Sequence, residues 1–186
     1  MEIYLIRHTK PKIGEGYCYG RTDLEVEASF SEELAILEKK LPDSFDVLYS
    51  SPARRCKILA EKLKTKEFHY DDRILELNFG DWENKKWTDI DPVQAKKWWD
   101  DFVDERAPNG ETFRELSKRV MDFMDELKSK NLEKVGVVSH AGVIRTIVAN
   151  LLDMPLLKAF NLSYDFGKVT LVSIKGETKI IRYINQ

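Results

Sequence analysis

The amino-acid sequence predicts an α/β protein: three α/β/α layers around a doubly wound, mostly parallel sheet, with a short helical excursion after the third strand. Three observations predict it. Short apolar runs such as those at 3–6, 45–49 and 135–138 have the length and composition of strands buried on both faces, as parallel strands are. Stretches with apolar residues at helical spacing separate them, so strand and helix alternate. The final pair of strand-like segments, 168–174 and 179–184, is joined by little more than Gly176-Glu177, a natural hairpin, which makes the end of the sheet an antiparallel edge.

The 186 residues suit one domain, 1–186, carrying a small cap-like excursion at about 77–110. A hydrophobic content of 42 % and a charged content of 33 % are those of an ordinary globular protein, and a net charge of −2 gives no hint of nucleic acid as a partner. The N-terminus lacks a signal-type pattern and no segment approaches the ~20 apolar residues of a membrane span, so no membrane partner and a cytoplasmic location are expected. Cys18 and Cys56 stand in unrelated contexts, which fits reduced thiols. With three histidines and no ligand cluster at metal spacing, neither a metal nor a cofactor is expected.

The first strand, Ile3 to Thr9, is apolar until it runs into Arg7 and His8. Ligands of open α/β sheets bind beyond the carboxyl ends of the strands, where a cation and an imidazole suit a phosphate. A histidine after an apolar strand is more often a hydrogen-bonded structural residue than a nucleophile. The second stretch of this design, Val135 to Arg145, shifts the balance, because its strand also ends in a histidine, His140. Between them, the loop 10–26 with Gly14, Gly16 and Gly20 reads equally as ligand-facing or as plain surface.

Ser29 or Ser31 can cap the next helix, which buries Leu34, Leu37 and Leu41 and stops at Pro42. The strand 45–50 passes into Ser51-Pro52-Ala-Arg54-Arg55, where Ser51 is a suitable N-cap and Pro52 a suitable first helical residue. Cations in a first turn oppose the helix dipole, so Arg54 and Arg55 ask for an anionic partner. A third strand is read over 67–74, and His69 within it is assigned to structure or surface. The excursion then carries a helix near 92–103 and tryptophans whose simplest role is packing. Thr112 and Glu115 form a capping box, and Phe113, Leu116, Val120, Phe123, Met124 and Leu127 the buried stripe of a long helix. A very apolar helix opens near Ala141-Gly142.

Four separated stretches, Leu5 to Thr9, Ser50 to Cys56, Leu75 to Glu83 and Ser139 to Arg145, together resemble the histidine phosphatase superfamily, the phosphoglycerate mutase-like fold, across nearly the whole chain. The resemblance implies that His8 is the nucleophile, that Arg7, Arg55 and His140 bind the phosphoryl group, with His140 charged only when phosphate is present, and that Glu76 donates and accepts the proton. It implies a metal-independent phosphomonoesterase with a small-molecule phosphate ester as its partner, as a monomer or homodimer. The runs Tyr17 to Leu24 and Asn78 to Glu83 most resemble the α-ribazole phosphatase branch; the resemblance implies Tyr19, Gly20, Arg21, Thr22 and Trp82 from these runs, with Thr9 and Ala141 beside the two histidines, as substrate-binding residues, and Tyr17, Tyr19 or Trp82 stacking on a benzimidazole-type base. Against that branch, Arg21 replaces a common glutamine, Asn84 a glycine, Ala53 a leucine and Glu27-Ala28 a leucine-threonine stretch. A different small-metabolite phosphatase, a phosphoglycerate mutase and a silent phosphate-binding domain are the competing readings. The short excursion argues against the mutase, and the presence of His8, Arg55, Glu76 and His140 against the silent domain.

Overall fold

The computed structural model describes residues 1–186. Its strands are β1 (Glu2–Arg7), β2 (Phe45–Ser50), β3 (Thr65–Tyr70), β4 (Lys134–Ser139), β5 (Val169–Lys175) and β6 (Thr178–Tyr183). They form one sheet in the order β3-β2-β4-β1-β5-β6. The first four in that order are parallel to one another, and β5 and β6 form the antiparallel edge. The helices are α1 (Phe30–Glu38), α2 (Arg54–Ala60), α3 (Pro92–Asp100), α4 (Phe113–Lys128) and α5 (Ala141–Leu151). No helix is long and apolar enough to cross a membrane.

Strand alternation divides the core in two. Ile3 and Leu5 of β1 join Val135 and Val137 of β4, α4, α5 and the excursion on one face. Tyr4 and Ile6 join Val138, Leu48 and the apolar sides of α1 and α2 on the other. A strand with both faces covered must be apolar at every position, and each fully buried Leu or Ile contributes roughly 1.5–3 kcal/mol. The central pair therefore forms a rigid base for whatever follows its carboxyl ends.

Local chemistry departs from the sequence expectation in five places. Helix α2 begins at Arg54 with Ala53 as its cap residue, not at Pro52; the Ser51 hydroxyl accepts from the amide of Ala53 (3.3 Å) and from His140, and so turns the chain one step before the helix. The amide of Arg54 is instead satisfied by the Asp23 carboxylate at 3.1 Å. Strand β3 ends at Tyr70 because Asp71 accepts from the amide of Arg73 (2.8 Å), turning 72–74 into a 3-10 turn. Helix α3 stops at Asp100, and a 3-10 segment over Leu156–Asn161 has no counterpart in the sequence reading. Ser29 does precede α1, but its hydroxyl donates to Glu33 (2.6 Å) and caps nothing.

The Thr112–Glu115 capping box opens α4, with reciprocal bonds of 3.1 and 2.8 Å. Asn84 has φ +65°, a left-handed conformation that glycine favours and asparagine tolerates, which accommodates the departure at that position. In the excursion, Trp82, Trp87, Trp98 and Trp99 pack edge-on and tilted against one another, with Phe79 and Phe102. Both cysteines are free and buried.

Candidate active site

Parallel register brings the two histidines together. Arg7 of β1 lies opposite Ser139 of β4, so His8 and His140 leave adjacent strands at the same level. Their rings meet edge-on with centroids 5.2 Å apart, and both are fully buried. The neighbouring strand β2 supplies Ser51, and the first turn of α2 supplies Arg55.

Arg55 is the centre of the arrangement. Its Nη1 donates to the carbonyl of Thr22 (2.8 Å), and its Nη2 to the carbonyl of Gly20 (2.7 Å) and to His140 Nδ1 (3.1 Å). Its Nε faces His8 Nε2 at 3.3 Å. These contacts fix both tautomers. His8 donates from Nδ1 to the carbonyl of Thr9 (2.7 Å), which leaves its Nε2 lone pair as the acceptor for Arg55 Nε (3.3 Å). His140 accepts at Nδ1 and donates from Nε2 to Ser51 Oγ (2.8 Å). Burial, then the Arg55 charge, hold both imidazoles well below their ordinary pKa, with Arg7 adding to the effect.

Arg7 stacks its guanidinium 3.7 Å over the ring of Phe166 and donates to the carbonyl of Tyr164 and to Tyr19 Oη (3.3 Å). Its Nε and the hydroxyl of Thr9 are buried without a partner. Arg145 donates to the carbonyl of Leu162 and lies against Phe160. None of Arg7, Arg55 and Arg145 has a carboxylate partner, whereas Arg21, Arg54, Arg73, Arg106, Arg114 and Arg119 all do. Uncompensated cations withdrawn from water are costly, so a fully buried Arg55 with the half-buried Arg7 and Arg145 beside it defines an anion site.

Beside it lies a cavity of ≈ 160 Å³, with Arg7, Arg145 and Glu76 on its wall and aromatic side chains, among them Tyr17, Phe79 and Trp87, opposite. Glu76 is its one carboxylate. Its Oε2 accepts from the amide of Gly142 at the start of α5 (3.3 Å), and a Cβ on Gly142 would stand 2.3 Å from its Oε1. A side chain at that position would displace the Glu76 carboxylate.

The twelve site residues read from the sequence fall into three sets. His8, Arg7, Arg55, Glu76 and His140 come together, with Thr9, Tyr19, Gly20 and Ala141 beside them. Arg21 and Thr22 stand behind the wall: Thr22 Oγ1 donates to Glu83 (2.7 Å) and Arg21 is paired with Glu111 (3.0 Å). Trp82 is 3 % exposed, packed within the aromatic cluster, so it presents no face to the cavity and Trp87 lines it instead. Arg145, Phe160, Tyr164 and Phe166 escaped the sequence reading as site residues. For Arg145 the signal was its place at the end of the His140 stretch; the other three lie in segments without a motif.

Buried imidazoles, unpaired guanidiniums and a carboxylate at the carboxyl ends of parallel strands define a phosphoryl-handling α/β enzyme site. The chain belongs to the histidine phosphatase superfamily (branch 1), whose model matches residues 3–186. It is similar to a Hydrogenobacter thermophilus protein assigned as a phosphoserine phosphatase, at 28 % identity over 99 % of this chain and 95 % of that one. The adenosylcobalamin/alpha-ribazole phosphatase of Escherichia coli is also 28 % identical, over 100 % and 96 %. Among solved structures, the alpha-ribazole phosphatase from Shigella flexneri superimposes with a TM-score of 0.87 at 26 % identity, covering 100 % of this chain and 96 % of that chain. This chain is accordingly a phosphatase of that superfamily.

Proposed function

We propose that the chain is a metal-independent phosphomonoesterase that works through a phosphohistidine on His8, with α-ribazole 5′-phosphate as its substrate. The observation that carries the chemistry is Arg55, a fully buried guanidinium with no counter-ion whose donors reach both His8 Nε2 and His140 Nδ1. A phosphate dianion supplies the missing charge and takes up donors of Arg7 and Arg55. His140 then gains a proton at Nδ1 and becomes a third cationic donor, its Nε2–H remaining on Ser51.

In the first step the Nε2 lone pair of neutral His8 attacks phosphorus in line. The N–P bond forms, the ester P–O bond breaks, and Glu76 in its acid form gives its proton to the departing alkoxide. In the second step the Glu76 carboxylate takes a proton from a water whose oxygen attacks phosphorus. The N–P bond breaks and its electron pair returns to Nε2. Charge on the equatorial oxygens is met by fixed guanidiniums throughout, which is the part a metal plays elsewhere.

The aromatic wall of the cavity supports a leaving group with an aromatic face, and the likeness to alpha-ribazole phosphatases points the same way. One observation favours a second reading. Arg145 is a cation without a carboxylate partner on that wall, which suits an acidic leaving group such as that of phosphoserine.

Rapid-quench labelling in EDTA should trap an acid-labile phosphoenzyme in the wild type and none in His8→Ala. Label retained by His8→Ala, or lost from the wild type until a divalent ion is restored, would overturn the mechanism. Steady-state kcat/KM for α-ribazole 5′-phosphate should exceed those for phosphoserine, 3-phosphoglycerate and p-nitrophenyl phosphate. A preference for phosphoserine that Arg145→Gln abolishes would install the second reading.

A further inference from the structure

Glu76 approaches the cavity from irregular chain between the 3-10 turns Asp72–Ile74 and Gly80–Trp82, so neither strand nor helix fixes its main chain. Side chains from two distant segments hold it. The carbonyl oxygen of Glu76 accepts from Arg21 Nε (3.1 Å) and from Arg119 Nη2 (3.0 Å). Both guanidiniums converge in turn on Glu111: Arg21 Nη2 at 3.0 Å and Arg119 Nη2 at 2.6 Å on Oε1, and Arg119 Nε at 3.2 Å on Oε2. Oε1 of Glu111 also accepts from the amide of Asn78 (2.9 Å), and Arg119 Nη1 donates to the carbonyl of Arg73 (2.7 Å). Residues 73, 76 and 78 are thus tied to one half-buried carboxylate. Glu111 and Arg119 keep side-chain exposures of only 15 % and 19 %, where forked charge-assisted bonds are strong and directional.

We propose that Glu111, with Arg119 and Arg21, is the positioning element for the proton donor: the triad fixes the Glu76 peptide so that its carboxyl meets the leaving oxygen. The proposal rests on the reading of Glu76 as general acid. It gives Arg21 a place in the machinery other than substrate binding, with its Nε on the Glu76 carbonyl and its charge paired with Glu111.

The consequence is selective. Proton donation matters most when the departing oxygen is a basic alkoxide and least for a nitrophenolate, which leaves without help. The ratio kcat/KM reports steps up to release of the leaving group, so it excludes the water attack that all substrates share. In Glu111→Gln, kcat/KM on an alkyl phosphate such as phosphoserine should fall roughly 10–100-fold, and on p-nitrophenyl phosphate less than about threefold. Arg119→Lys, which keeps the charge but loses the fork, should reproduce the pattern in milder form and serves if Glu111→Gln does not fold. Inorganic phosphate should inhibit variants and wild type alike.

Equal losses on both esters, or no loss on either, would overturn the proposal. Glu76→Gln, measured on the same two esters, separates its failure from that of the underlying reading. If Glu76→Gln discriminates between the esters and the triad variants do not, only the positioning role falls. If Glu76→Gln itself shows no leaving-group dependence, the assignment of the general acid falls with it.

Discussion

Acidification should destabilise the ligand-free protein through its two site histidines, by an amount that can be worked out. Both are fully buried and held neutral, by burial first and by Arg55 next. In the unfolded chain each titrates near 6.5. A folded-state pKa below the unfolded value means that the unfolded chain binds the extra protons, so this contribution is present above pH 6.5 and is lost as pH falls below it. With both rings still neutral in the fold at pH 5.5, each loses about RT ln(1 + 10), roughly 1.4 kcal/mol, or about 2.8 kcal/mol for the pair. Denaturant unfolding followed by the fluorescence of the four tryptophans at pH 7.5 and 5.5 measures it. His8→Asn and His140→Asn should each remove about half of the pH dependence. Inorganic phosphate at a hundredfold excess over Kd should add about 2.7 kcal/mol and flatten the slope, since bound anion lets His140 take its proton inside the fold. A wild type equally stable at both pH values, or a His8→Asn protein with the full wild-type dependence, would refute the reasoning.

Two further substitutions probe the site from its sides. Arg55→Ala should lower kcat by about 10²–10³, the scale of losing a preorganised anion donor, whereas Arg54→Ala, whose side chain is 56 % exposed and paired with Glu25, should stay within about twofold; equal losses in steady-state assays would mean that the wrong arginine has been assigned. Gly142→Ala should keep or slightly raise stability, since alanine is the better helix former by about 1 kcal/mol, yet cut kcat/KM by about tenfold or more because the new Cβ displaces Glu76. Thermal melts beside kinetics check both halves, and full activity would show that the Glu76 contact is dispensable.

How much of this was legible in the sequence depends on how local each determinant is. The sheet was, because a strand covered on both faces must be apolar throughout, and His8 and His140 end two such strands. Parallel register then does the rest: Arg7 opposite Ser139 brings the two rings together. The choice of Arg55 over Arg54 came from the family resemblance, and the helical step of about 100° explains why the two neighbours go to different places. What failed was chemistry settled between distant segments. Ser51 has every local credential of a helix cap, but its hydroxyl is bound by His140 from a strand 89 residues away in sequence. Trp82 sits beside a motif and reads as a stacking platform, yet the excursion folds over it and offers Trp87 instead. Arg21 looked like a free cation because its partner, Glu111, lies 90 residues on.

The distribution of carboxylates explains why such a site is stable without its ligand. Most arginines of this chain meet an acid, but around Arg7, Arg55 and Arg145 the only nearby acid on the cavity wall is Glu76, and that carboxylate is turned to the amides of Leu77 and Gly142. Arg55 is held by neutral acceptors, two carbonyls and two imidazoles, which take four of its five N–H donors and leave its charge uncancelled. A carboxylate there would stabilise the fold and also occupy the anion's place. The two carbonyls instead hold the fork in position while the donors now on the imidazoles are open to the anion, and β1 and β4, central in the sheet, make that position stiff. Burial first, and the residual positive potential next, depress both histidines, which on the proposed mechanism would keep His8 nucleophilic before an anion binds and let His140 charge afterwards. On that mechanism a missing counter-ion, together with burial, would couple phosphate affinity, nucleophile and acid response.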